Sequence, residues 1–138
     1  MKLRKTLRAV ILVALLICST FCMAKKQDLN RLITAIATVE SNLNEKAVSR
    51  DCVGYLQIRP CLVQECNNIL KKQNSTKRYT LNDRFSKVKS IEMFYIIQDK
   101  FNPTYDIERA ICIWNAGAYS KKKPMGYLRK VMAEYNKL

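Results

Sequence analysis

The stretch from Asp28 to Leu43 sets Leu29, Ile33, Ile36 and Leu43 on one face, at spacings of 4, 3 and 7 residues. That is the period of an α-helix packed on one side. Position 40 belongs to the same stripe, four residues beyond Ile36 and seven beyond Ile33, and it is a glutamate. A carboxylate on an apolar face loses water, and desolvation disfavours its charged form, so the pKa of Glu40 is expected to rise. A carboxylic acid still protonated near neutral pH is a proton donor, as the cleavage of a glycosidic bond requires. The plainer alternative is a helix-end residue facing solvent, since Ser41 and Asn42 follow it.

The rest of the chain continues the helical pattern. Asp28 suits an N-cap for the first helix, which is expected to reach about Leu43. Residues 44–51 read as loop. Val53-Gly54-Tyr55-Leu56-Gln57-Ile58 is apolar and β-leaning, but Gly54 argues for a turn or a short strand at a cleft edge. Pro60 suits the first turn of a second helix over about Cys61 to Lys72. Asp83 to Phe101 is apolar enough for a central buried helix, stopped by Asn102-Pro103. A fourth helix starts at Thr104 or Asp106 and ends near Trp114, with Gly117 as its cap. Gly126 to Tyr135 is amphipathic, with Leu128, Val131, Met132 and Tyr135 inward. There is no repeat and no interdomain linker. The expected fold class is all-α, or α+β at most with a very small strand element, in one domain.

The N-terminus has the form of a signal peptide: basic Lys2, Arg4, Lys5 and Arg8, an apolar run from Ala9 to Cys18, and small residues around Cys22-Met23-Ala24. Residues 1–24 are therefore expected to be removed, leaving 25–138 as the mature domain with no stable membrane anchor. An uncleaved anchor is the alternative. Four cysteines remain, Cys52, Cys61, Cys66 and Cys112. An even number in an exported domain suggests disulfides, with the pairing open; buried thiols are the alternative, and Cys112 lies in an apolar helical run. The leader takes four of the 25 Lys and Arg and none of the 11 acids, so the mature domain keeps a net charge of +10. Such a domain is drawn to polyanions such as a bacterial wall. Lys121-Lys122-Lys123 is its densest run and reads as a solvated loop. The chain has no histidine, which removes the usual base of Ser–His and Cys–His catalysis and the commonest zinc ligand. Acid–base chemistry falls to carboxylates, Tyr or Lys, and neither a metal nor a cofactor is expected.

Several short segments follow one another along the chain: Glu40-Ser41-Asn42-Leu43-Asn44 with Ala47-Val48-Ser49, then Gly54-Tyr55-Leu56-Gln57-Ile58 closed by Pro60, then Trp114-Asn115-Ala116-Gly117, then Tyr127-Leu128-Arg129-Lys130-Val131. Together they resemble the catalytic domain of the soluble lytic murein transglycosylases, glycoside hydrolase family 23, over roughly residues 29–135. The resemblance implies a lysozyme-like fold with a substrate cleft. It implies Glu40 as the single catalytic acid/base. Ser49 matches a hydroxyl near that acid, Gln57 a cleft-lining amide, Tyr55 and Leu56 a variable pair beside it, Asn115 the Asn of the third motif, and Tyr127 a Tyr close to the glutamate. Tyr55, Ser49, Gln57, Asn115 and Tyr127 are thus expected to bind substrate. The chain departs from the family pattern in three places. Trp114 stands where a Tyr is usual, Glu45 replaces a Pro, and the segment between Ser49 and Gln57 is about one residue short and carries Cys52.

A glycosidase usually needs two carboxylates, and no second one lies in a motif. Asp51, Asp83, Glu65 and Glu92 are candidates by type alone. The resemblance instead implies a one-carboxylate cleavage of the bond between N-acetylmuramic acid and N-acetylglucosamine, closing a 1,6-anhydro ring. The expected partner is a peptidoglycan glycan strand in the periplasm or outside the cell. The small size also suits local wall opening beside a secretion or conjugation apparatus. Nucleic acid is not expected, because the aromatic-plus-basic platform of single-strand binders is missing. The alternatives are a hydrolytic lysozyme on the same fold and a catalytically silent basic wall-binding protein.

Overall fold

The structure is a computed structural model. It describes residues 2–138, apart from the side chains of 2–6, 9, 19, 21–23 and 26. Lys2, Arg4, Lys5 and the Cys22-Met23 part of the expected cleavage site therefore lie outside the described side chains. Residues 2–41 contain neither Pro nor Gly, and they form one unbroken helix, α1 (Lys2–Ser41). Asp28, expected to cap a helix start, is instead inside α1, because nothing before it terminates the helix. The helix passes residue 24 without interruption. No helix among the described residues is long and apolar enough to cross a membrane.

The buried side of α1 is made by Leu29, Leu32, Ile33, Ala35, Ile36 and Ala37. The stripe does not extend to Leu43 as the spacing predicts. Asn42 and Leu43 turn left-handed, with φ of 52° and 64°. The Leu43 N–H reaches back to the Ala37 carbonyl (3.2 Å) and the Asn42 N–H to Thr38 (3.1 Å). These bonds satisfy the last carbonyls of the helix and leave Leu43 47% exposed. The helix thus ends on a firm cap one residue after Glu40, with no frayed turn beyond it.

A small antiparallel sheet follows: β1 (Val48–Ser49) pairs with β2 (Cys52–Val53), with Val48 opposite Val53 and Ser49 opposite Cys52. Val53 also bridges Ile58 antiparallel. The chain between them turns through Gly54 at φ 81°. No other residue fits at Gly54, because a Cβ there would lie 1.9 Å from the Arg84 carbonyl oxygen. Arg84 itself clamps the turn. Its guanidinium donates to the carbonyls of Asp51 (3.0 Å), Ile58 (3.1 Å) and Leu81 (2.8 Å).

α2 (Pro60–Lys72) has Pro at its first turn and buries Val63, Cys66, Ile69 and Leu70. The helix expected over Asp83 to Phe101 is divided. A 3-10 turn (Leu81–Phe85) is closed by a Thr80–Asp83 capping box, and α3 (Lys87–Phe101) starts anew at Ser86. Ser86 is extended (φ −94°, ψ 119°), and its hydroxyl accepts from the Lys89 N–H at 3.4 Å, so a cap chemistry overrides the apolar density. α4 (Ile107–Ala116) is capped by Asp106, whose carboxylate accepts the Arg109 N–H at 2.7 Å. α5 (Met125–Tyr135) buries Leu128 and Val131.

α1 packs against α4 and α5, and α2 packs against α3. Phe94, Met93, Ile111 and Leu56 lie fully inside with the α1 stripe. The architecture is all-α with a two-strand sheet, as expected of a lysozyme-like domain. Cys52, Cys61, Cys66 and Cys112 all stand as free thiols, so the expected disulfide is not formed in this structure. Cys66 is sealed in the core, its thiol directed at the Met93 carbonyl (3.6 Å), and burial pushes its pKa up to about 12.

Candidate active site

A cleft of about 380 Å³ opens between the end of α1, the turn after β2, the start of α2 and the C-terminal end of α4. Glu40 lines it from the last turn of α1, half-buried. Burial raises the Glu40 pKa above its ordinary carboxyl value, while the hydrogen bond from Tyr127 and the positive charge of Arg59 pull it part of the way back. Tyr127 comes from α5 and donates its hydroxyl to Glu40 Oε1 at 2.6 Å. Burial and the neighbouring Glu40 charge hold the Tyr127 phenol far above its usual range. It is therefore a permanent donor that orients the carboxyl. The pair is 87 residues apart in sequence, and the α1–α5 packing is what joins them.

Ser41 ties this helix end to the next motif. Its hydroxyl donates to the Tyr55 carbonyl at 2.8 Å, with the Ala37 carbonyl as a second acceptor at 3.1 Å. Gln57 sits in the turn at φ 50°, buried. Its amide N–H groups are held by the carbonyls of Gly54 (3.0 Å) and Ala47 (3.2 Å), and the residue lines the cleft. Asn115 lines the cleft from the end of α4, exposed. Trp114 lies beside it, packed on Phe94 at 5.0 Å between ring centroids, and donates its indole N–H to the Leu56 carbonyl at 3.3 Å. Where the family pattern has a tyrosine hydroxyl, this chain has an indole that packs and braces.

The fold thus brings Glu40, Gln57 and Asn115 to the cleft lining, and Tyr127, itself off the lining, joins them through its bond to Glu40. The other two residues that the resemblance singles out lie elsewhere. Tyr55 is inside the core, 3% exposed, with Lys87 over its ring at 4.9 Å. Ser49 is exposed on β1, and neither residue is on the cleft lining.

The cleft also contains residues that the motif reading passed over: Arg59, Cys61, Glu65, Phe101 and Tyr119, with Cys52. Arg59 is two residues past Gln57 and lines the cleft beside Cys52; the Cys52 thiol donates to Asp51 Oδ1 at 3.7 Å, and the nearness of Cys52 raises the guanidinium pKa further. Glu65 was a candidate by residue type, and only the α2 packing turns it toward the cleft. The remaining carboxylates are engaged elsewhere. Asp83 caps the 3-10 turn and pairs with Lys89, Glu92 pairs with Lys77 and Tyr79, and Asp51 is exposed at the sheet turn.

The arrangement is a protonatable carboxyl on the wall of a cleft, oriented by a phenol, with amides nearby. A family model agrees with it. The transglycosylase SLT domain matches residues 18–136, nearly the whole chain. The protein belongs to the transglycosylase SLT domain family. No curated protein and no solved structure matches the chain at a significant level. Membership in the SLT family indicates transglycosylase-type action on peptidoglycan, a substrate of the periplasm or cell exterior.

Proposed function

We propose that this SLT-family protein is a lytic transglycosylase that cuts the β-1,4 bond between N-acetylmuramic acid and N-acetylglucosamine. The observation that carries the reading is Glu40, a half-buried carboxyl with a raised pKa at the wall of a cleft, oriented by Tyr127. Glu40 donates its proton to the glycosidic oxygen as the bond to the muramoyl C1 breaks. The substrate's acetamido carbonyl holds the cation-like C1, as in other substrate-assisted glycosidases. Glu40, now a carboxylate, accepts the proton of the muramoyl C6 hydroxyl, whose oxygen bonds to C1. The carboxyl is restored and no water is consumed. Gln57 and Asn115 are the substrate-binding amides of this reading. Tyr127 positions the acid.

Glu65 supports a second reading, hydrolysis on the same fold, because it brings another carboxylate to the same cleft. Digests of purified peptidoglycan in heavy-oxygen water separate the two. The transglycosylase leaves unlabelled anhydromuramoyl ends, lighter by one water than a lysozyme product. Labelled reducing-end muramic acid as the main product overturns the first reading and makes Glu65→Gln the next variant.

Export with removal of residues 1–24 belongs to the same proposal. In an oxidising compartment, a disulfide donor takes two electrons and two protons from Cys52 and Cys61. Two features favour that pair. Both thiols line the cleft, and Cys52 lies beside Arg59, two residues before Cys61.

A further inference from the structure

The loop joining α4 to α5 carries Tyr119, which is 83% exposed, the most exposed large hydrophobic side chain among the described residues. Its ring is held edge-to-face by Phe101, with 5.4 Å between centroids and 75° between planes. Phe101 is the last residue of α3 and packs against the core, so the tyrosine is braced from the body of the protein. An edge-to-face contact occupies at most one face of a ring, and at least one face of Tyr119 stays open. Both aromatics line the cleft that holds Glu40. Between Asn115 and Tyr119 the lining is Ala116-Gly117-Ala118. These small residues leave room beside the ring, and a Cβ at Gly117 would meet no atom within 4 Å.

We propose that Tyr119, braced by Phe101, is a stacking platform for one N-acetylhexosamine ring of the glycan strand bound in the Glu40 cleft. One face of such a sugar presents only C–H groups, which pack on an aromatic face, while its rim of hydroxyls stays wet. Tyrosine fits that surface because it joins an apolar ring to a polar tip. A solvent-facing aromatic costs water-exposed apolar area in the free protein; covering it by a sugar recovers that term on binding. Tyr119 thereby sets affinity for the strand and takes no part in the proton transfers of Glu40. The inference rests on the glycan reading of the cleft.

Trp114 is the single tryptophan of the chain and lines the same cleft, so its fluorescence reports occupancy. The Glu40→Gln protein is titrated with peptide-free glycan strands of alternating N-acetylglucosamine and N-acetylmuramic acid. Tyr119→Ala in that background is expected to weaken binding by about five- to tenfold, and Tyr119→Phe to bind within about twofold of the parent. The melting temperature of Tyr119→Ala should stay near that of the parent, as for an exposed side chain. Equal affinity for the Ala variant and its parent overturns the platform while leaving the glycan reading standing. A Phe variant as weak as Ala also overturns it, since the hydroxyl and not the ring then makes the contact. A parent that binds neither the strands nor whole peptidoglycan overturns the glycan reading, and the platform with it.

Discussion

At Glu40 two opposing effects meet on one carboxyl. Burial favours the protonated acid, and the Tyr127 hydroxyl and Arg59 charge favour the carboxylate; burial wins. The site therefore holds a proton to higher pH than an exposed glutamate, yet has a donor ready to stabilise the carboxylate formed when that proton leaves. Glu40→Gln is expected to lower lytic activity by about 100-fold or more with the fold intact, checked by turbidity loss of purified peptidoglycan alongside circular dichroism. Tyr127→Phe removes a bond that favours the carboxylate, so the Glu40 pKa climbs further and the alkaline limb of kcat/KM moves to higher pH. A limb that moves to lower pH contradicts the assigned role of Tyr127. The same raised pKa has a stability consequence with a fixed sign. Between the ordinary carboxyl value and the raised folded value, folding takes up a proton, so the Glu40 contribution to stability falls as pH rises through that window. Glu40→Gln should melt higher than the parent at pH 7 and converge with it below about pH 4, where the carboxyl is protonated in both states. Glu40 was visible in the sequence because an acid on a helical apolar stripe breaks the pattern. Its orienting Tyr127 was visible only through the family motif, since no local rule links residues so far apart.

Among the elements, the short sheet and the turn after it are the most constrained part of the cleft. Gly54 at φ 81° presses against the Arg84 carbonyl, while the Arg84 guanidinium holds three carbonyls of the same region. The three glycines make a graded test. Gly54→Ala meets backbone at 1.9 Å and a left-handed φ, and is expected to cost more than about 3 kcal/mol. Gly117→Ala meets open space but keeps φ at 90°, so only strain of about 1–2 kcal/mol applies. Gly126→Ala lies in the first turn of α5 with open space, and should be neutral to about 1 kcal/mol stabilising. Urea unfolding of the three variants checks the order; a Gly54→Ala protein as stable as Gly117→Ala would contradict the close approach. Local signals foretold Pro60, Asp106 and Gly117 as helix punctuation, because each acts through its own backbone neighbours. They did not foretell the Ser86 break, where a serine cap outweighs dense apolar sequence, or the continuity of α1 through Asp28, where a good cap residue has no break to cap.

For the molecule as a whole, charge and the proposed export make the testable statements. A domain 25–138 of net +10 should bind whole, anionic walls more weakly as salt rises, whereas its grip on uncharged N-acetylglucosamine oligomers should change little. Pull-down on whole walls and Trp114 titration with those oligomers, each at low and high salt, measure the difference; parallel losses would contradict it. Mass spectrometry of the exported protein should give an N-terminus at Lys25 and two thiols fewer than the four cysteines of the mature chain, with Cys52 and Cys61 in one cross-linked peptide. An intact leader would mean a retained anchor, and four free thiols would refute the bridge. The sequence by itself determined the helical class, the acid on the apolar stripe and the family, because periodicity, caps and motif order are properties of neighbours along the chain. Only the tertiary structure decided what shares the cleft. It brought Glu65, Arg59 and Tyr119 to Glu40 and kept Tyr55 in the core. The physical reason is that a side chain's surroundings are set by how α1, α2, α4 and α5 pack across long sequence separations, and no local pattern encodes that packing.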